Sequence, residues 1–206
     1  MQVIRLEAGI YAANCYLIYE SDSMEAIIID PGGDSDDIIS RVEDLGLKVK
    51  YIILTHGHAD HIAGVAELRD YFNVPVAIHK EDEPMLRDSD RNFSSTMATG
   101  EIEIDPDILL DEETKIEFGG LPIKIIHTPG HTPGGITINI ENYLFTGDTL
   151  FAGSIGRTDF PGGSFEDIIA SIKEKLLVYP DDTILYPGHG PASSIGKEKS
   201  SNPFIV

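Results

Sequence analysis

The sequence predicts an α/β chain in which two β-sheets pack face to face with helices on their outer surfaces, a four-layer sandwich. Three observations carry this. Strand-like runs followed by a helical pattern occur in the first half and again in the second. No stretch rich in Pro, Gly or Ser separates the halves, so residues 1–206 read as one domain. Finally, 41% of the residues are hydrophobic, enough for a substantial core without covalent staples.

The elements follow in order. QVIRLE (2–7), NCYLIYE (14–20) and MEAIIID (24–30) read as short strands separated by Gly, Asn and Ser-Asp punctuation, which predicts an antiparallel meander. A helix follows in DSDDIISRVEDLG (34–46), where Ile38, Ile39, Val42 and Leu45 share a face. Acidic residues crowd its first turn, and Gly46 suits the position past its last. VKYIILT (49–55) is an apolar strand that ends where a histidine cluster begins. From Asp60 the spacing of Ile62, Val65, Ala66, Arg69 and Phe72 is helical, and VPVAIH (74–79) is a further strand. Residues 80–114 are polar, acidic and irregular, and predict a short helix near EDEPMLRD and a surface loop beside the core. In the second half TKIEF, LPIKIIHT, GITINI and NYLFTGD read as strands. SFEDIIASIKEKLL (164–177) reads as a helix opened by a capping box of Ser164 and Asp167. DTILYPGHG (182–190) is the last strand and ends in a glycine-flanked histidine.

Composition narrows the function classes. Fifteen basic against thirty-five acidic side chains give a net charge of −20. That charge repels phosphate backbones and anionic lipid over roughly 10 Å at ordinary ionic strength, so neither nucleic acid nor a membrane surface is the expected partner. A solvated, self-repelling surface accounts for the acidity. Cys15 is the single cysteine, so no intrachain disulfide can form, and a reducing cytoplasm fits. It stands in an alternating strand, which suits a buried inert thiol rather than a nucleophile. The first residues lack the pattern of a signal peptide, and no apolar run approaches the ~20 residues that span a bilayer.

The chemistry is concentrated in THGHADH, residues 55–61. In an extended segment side chains at i and i+2 point the same way, so His56 and His58 can reach one ion together. With a helix starting near residue 60, Asp60 and His61 project roughly 100° apart and can address a second position close by. Three His and one Asp with no Cys form a dense N and O donor set directly after a buried strand, suited to Zn²⁺ or Fe²⁺. Three more donors lie at glycine-marked strand ends: His131 in HTPGHTPGG, Asp148 in LFTGDTL and His189 in YPGHG. The five His and two Asp exceed what one tetrahedral ion holds and suffice for two, with a carboxylate able to bridge them.

Asp30, then His56-x-His58-x-Asp60-His61, then His131, Asp148 and His189, resembles the metallo-β-lactamase superfamily across nearly the whole chain. The resemblance implies an αββα fold with the site along one edge of the two sheets. By position, it implies His56, His58 and His131 on a first metal, Asp60, His61 and His189 on a second, and Asp148 bridging. It implies a supporting role for Asp30, which as a turn residue before Pro-Gly also has a purely structural reading. A water held between two cations loses its proton near neutral pH, which yields a hydroxide able to attack a polarised carbonyl, with Asp60 orienting it or relaying protons.

Among members, GDTLFAGSIGRTDFPGG (147–163) looks most like hydroxyacylglutathione hydrolases, the glyoxalase II group and its short bacterial forms. This implies hydrolysis of S-D-lactoylglutathione or a related thiol-carrier thioester by Zn²⁺, with Fe²⁺, Mn²⁺ or single-metal occupancy also open. In the longer enzymes a Lys at the offset of Arg157 helps hold glutathione. Arg157 therefore reads either as a bidentate contact to a substrate carboxylate or as a local partner of Asp159. Those enzymes also carry a C-terminal helical glutathione-binding region, whereas this chain ends 17 residues after His189. The alternative is a persulfide dioxygenase with one Fe²⁺ on the positions of His56, His131 and Asp148. Such enzymes tend to have cysteine where this chain has GHTPGG and AGSIG. Asp148 argues against true β-lactamases, which commonly lack aspartate there. His79 and His127 fall outside the motif and read as structural histidines.

Overall fold

The computed structural model describes residues 1–206. Strands β1 (Gln2–Ala8), β2 (Ala13–Tyr19) and β3 (Glu25–Ile29) form the antiparallel meander that the punctuation predicts. Helix α1 (Ser35–Leu45) ends on Gly46 at φ 66, and β4 (Lys48–Ile53) pairs parallel with β3. Two short helices, α2 (Ala59–Ile62) and α3 (Val65–Phe72), precede β5 (Val76–His79). Helix α4 (Glu83–Leu86) follows, and β6 (Ile108–Leu110) completes a six-stranded sheet in the order β1 to β6.

The second half begins with β7 (Ile116–Phe118), β8 (Leu121–His127), β9 (Ile136–Ile140) and β10 (Tyr143–Gly147), successive antiparallel neighbours. A small hairpin, β11 (Leu150–Phe151) and β12 (Ser154–Ile155), and helix α5 (Phe165–Ala170) follow. Strands β13 (Ile184–Pro187) and β14 (Ser193–Ser194) extend the sheet beyond β10, and α6 (Ile195–Ser201) lies near the chain end.

The side-chain period of two sorts the residues of each central strand into two cores. On β2 and β3, Cys15, Leu17, Ala26 and Ile28 pack under α1 and α3 with Ile38, Val42 and Leu68. Their neighbours Tyr16, Ile18, Ile27 and Ile29 face the other sheet and meet Ile123, Ile125, Ile138 and Phe145. Leu144 on β10 and Ile126 on β8 turn outward to Ile168, Ile172 and Ile195 of the second helical layer. Helix, sheet, sheet, helix is the four-layer order that the sequence predicts, and strands buried on both faces explain its long apolar runs.

Four local departures have physical causes. The helix expected from Asp60 to Phe72 breaks at Gly64, whose N–H donates to Pro31 O at 2.8 Å and where a Cβ would stand 3.0 Å from that oxygen. Residues 80–114 are more than a surface loop: Asn92, Ser94 and Ile104 are buried, and β6 adds a strand parallel to β5. The capping box is half formed. Ser164 Oγ accepts from Asp167 N at 3.2 Å, but the Ser164 N–H donates to Gly130 O instead of returning to Asp167. Beyond α5, Ser171–Leu176 widens to i→i+5 bonding, so the predicted helix runs on as a π-type turn.

Candidate metal centre

Backbone bonds bring the donor-bearing loops to one edge where the two sheets meet. Ile136 N donates to Thr55 O, Gly188 N to Gly147 O and Asn14 N to Gly188 O, at 2.9, 2.7 and 2.7 Å. Glycine is obligatory at the closest approaches. A Cβ on Gly32 would lie 2.0 Å from Asp60 O, on Gly156 1.7 Å from Asp148 O, and on Gly188 2.2 Å from Asp148 Oδ1.

All seven sequence-predicted donors gather there. His56, His58 and His131 place nitrogens within 4.8 Å of one another, and so do the donor atoms of Asp60, His61 and His189. Asp148 stands between the groups, its Oδ2 3.6 Å from His131 Nε2 and 3.8 Å from His189 Nε2. His58 Nδ1 faces His131 Nε2 at 2.9 Å, and His61 Nε2 faces His189 Nε2 at 3.2 Å. His56 Nε2 and Asp148 Oδ1 are buried with no hydrogen-bond partner. Buried acceptors without a partner cost free energy, and both they and the converging ring nitrogens are what a divalent cation requires. The donor set therefore fits a bound metal.

Protonation follows the same geometry. Burial first, then His61, His58 and His131 nearby, holds His56 neutral well below the ordinary imidazole range. Burial and His131 bring His58 down to about 3. Burial opposes the proton on His61, but Asp148, Asp60 and Asp30 outweigh it and push His61 up to about 10. Burial also opposes the charge on Asp60, yet His61 and His189 hold it below the usual carboxylate range.

Surrounding groups fix the rings. Asp30 accepts from Thr55 N at 2.7 Å and Thr55 Oγ1 at 2.6 Å, and its Oδ2 lies 3.2 Å from His61 Nδ1. That orients His61 Nε2 toward the centre, a supporting role beyond that of a turn residue. The His131 Nδ1–H donates to Arg157 O at 2.8 Å, which frees Nε2 in the same way.

The sequence matches the family model of the metallo-beta-lactamase superfamily over residues 8–189. The chain belongs to this superfamily. A curated relative in Haemophilus influenzae, named hydroxyacylglutathione hydrolase GloC, is 41% identical over 199 residues, 95% of this chain and 93% of the relative. A crystal structure of the BLEG-1 B3 metallo-beta-lactamase is similar at TM-score 0.94 and 39% identity, covering 100% of both chains. The crystal structure of TTHA1623 in a di-iron-bound form matches at TM-score 0.86 and 32% identity, over 98% of this chain and 100% of that one.

Within this superfamily fold, two positioning residues escaped the sequence reading. Asp82 is fully buried and accepts from Gly57 N at 3.2 Å, Thr132 Oγ1 at 2.7 Å and Gly134 N at 2.6 Å. It thus staples the loop of His56 and His58 to the loop of His131. Asn14 Nδ2 donates to Pro187 O and Gly190 O at 2.8 and 2.9 Å, which braces the loop of His189. Neither had a signal: Asp82 sits in an acidic run that reads as solvated, and Asn14 reads as strand punctuation.

Arg157 lines the cavity over the donors, and its Nε and Nη2 donate to Asp159 at 2.7 and 2.8 Å. Outside the motif, His79, Glu81 and His127 also bring donor atoms within 4.8 Å of one another, with Glu81 exposed. His79 and His127 stack at 4.2 Å with planes 17° apart, so their in-plane lone pairs run side by side, and His127 Nε2–H donates to Pro133 O at 2.8 Å. Burial pushes the Cys15 thiol above its ordinary range, in line with an inert thiol. No helix is long and apolar enough to cross a membrane.

Proposed function

We propose that the chain hydrolyses acyl thioesters, glyoxalase II-like, with S-D-lactoylglutathione or a related thiol-carrier thioester as substrate and two divalent ions, Zn²⁺ in the first place, as cofactor. His56, His58 and His131 would hold one ion, Asp60, His61 and His189 the other, and Asp148 would bridge. The observation that carries this reading is the facing pair of imidazole nitrogens on each side of Asp148, His58 with His131 and His61 with His189. When bound, such ions supply Lewis acidity that makes water a nucleophile at neutral pH and polarises a carbonyl oxygen.

The chain's own residues do the rest. Asp60 stays ionised through the neutral range and can orient water at the centre. Asp30 and the Arg157 carbonyl keep the His61 and His131 rings aimed inward. Arg157 is the proposed substrate contact on the cavity wall. A thioester suits this arrangement because a thiolate leaves without a proton donor, its pKa lying near 8.5. The name of the Haemophilus influenzae relative and the 147–163 stretch support the thioester over other carbonyl substrates.

The test measures free-thiol release from S-D-lactoylglutathione by metal-loaded protein, beside O₂ uptake on glutathione persulfide and opening of a β-lactam. Thiol release without O₂ uptake or ring opening is expected. O₂ uptake without thiol release would move the assignment to the single-iron dioxygenase, and ring opening alone to the β-lactamase activity for which one solved relative is named.

A further inference from the structure

The cavity over the centre has a volume of about 490 Å³, and Arg157 is the one Lys or Arg side chain on its wall. That guanidinium is engaged on its edge and its face, bidentate to Asp159 and 3.7 Å from the Phe160 ring centroid. A substrate carboxylate would have to displace Asp159, exchanging one bidentate pair for another. A second carboxylate would find no further Lys or Arg side chain on this wall.

The opposite offer is apolar. Phe93 and Phe160 stand 4.6 Å apart and 5.3 and 5.6 Å from the His58 ring, and Met97 and Tyr11 also line the cavity. Phe93 holds this place at φ 68, a conformation that bulky side chains rarely adopt. The turn around it enforces that conformation. Asn92 Nδ2 donates to Met85 O and Ile102 O at 3.1 and 2.8 Å, Asn92 O accepts from Ala59 N at 2.9 Å, and Ser94 Oγ accepts from Ile102 N at 2.8 Å. A strained aromatic residue fixed against a donor histidine points to substrate recognition.

We infer that Phe93 and Phe160 form an aromatic recess that selects thioesters with an apolar acyl group on an uncharged thiol over thioesters of a carboxylate-bearing thiol such as glutathione. This rests on the thioesterase reading above.

The experiment compares thiol release from S-phenylacetyl-N-acetylcysteamine, S-lactoyl-N-acetylcysteamine and S-D-lactoylglutathione, each rate divided by its hydroxide-catalysed rate. The apolar, uncharged ester should exceed lactoylglutathione in kcat/KM by about tenfold or more, the scale of discrimination that a hydrophobic pocket provides. Phe160→Ala and Phe93→Gly should each collapse that ratio, chiefly through KM, while Phe160→Leu should retain most of it. Phe93→Gly relieves the positive φ and so keeps the test open if Phe160→Ala fails to fold. A ratio at or below one overturns the inference, and so does a high ratio that both variants leave intact. No thiol from any ester overturns the thioesterase reading itself, and the inference with it.

Discussion

At the residue scale the donors were legible and their supports were not. Five His and two Asp stand out because imidazoles beside glycine at strand ends have few other uses, and all seven meet at one edge. Asp82 and Asn14 do their work through backbone amides and carbonyls far away in sequence, which leaves no mark on local pattern. Two outcomes follow. Asp148→Ala should lose both metal retention and turnover, measured by metal content after desalting and by thiol release; turnover that survives contradicts the bridging role. Asp82→Asn should weaken metal binding by about 10–100-fold, the usual effect of losing a group that orients ligands, as read by competition with a chelator. The thermal midpoint of metal-loaded Asp82→Asn protein should fall less than that of Asp82→Ala, because the amide still fills the space.

At the element scale, the pattern predicted strands and helices wherever one face or both faces are apolar. It failed where tertiary bonds override local preference. β6 is three residues, ILL, in a polar stretch, and it is a strand because β5 offers it an edge. α6 comes from a tail rich in Lys and Ser. It is held because buried Glu198 accepts from Gly153 N at 2.8 Å, Asn202 Nδ2 at 2.8 Å and Ser193 Oγ, which ties the tail to the 147–163 loop. Ser164→Ala should cost about 1 kcal/mol at the start of α5, seen as a lower denaturation midpoint with turnover kept. Gly156→Ala should behave in the opposite way. A Cβ there meets the Asp148 backbone oxygen at 1.7 Å, so metal affinity should drop sharply, and unaltered binding would show that this loop does not set the position of Asp148.

At the scale of the whole molecule, the two sheets and outer helices were legible from alternation, whereas the way the loops close over the centre was not, since that depends on bonds between the sheets. The joined edge gives the metal-free protein a characteristic pH response. His61, raised to about 10, contributes stability that is complete below the unfolded imidazole value of about 6.5 and is lost as pH rises through about 10. His58, lowered to about 3, acts oppositely and costs stability as pH falls below about 6.5. Thermal midpoints of chelator-treated protein should therefore peak near pH 6.5. Because a cation needs His61 neutral, metal affinity should rise with pH over the range where that proton is displaced.

The central claim is a two-ion centre that serves thioester hydrolysis, and its most direct test is titration of Zn²⁺ into chelator-treated protein while thiol release and bound metal are followed together. Thiol release should saturate at two equivalents per chain. Full activity at one equivalent, or two bound ions with no thiol released at any loading, would contradict it.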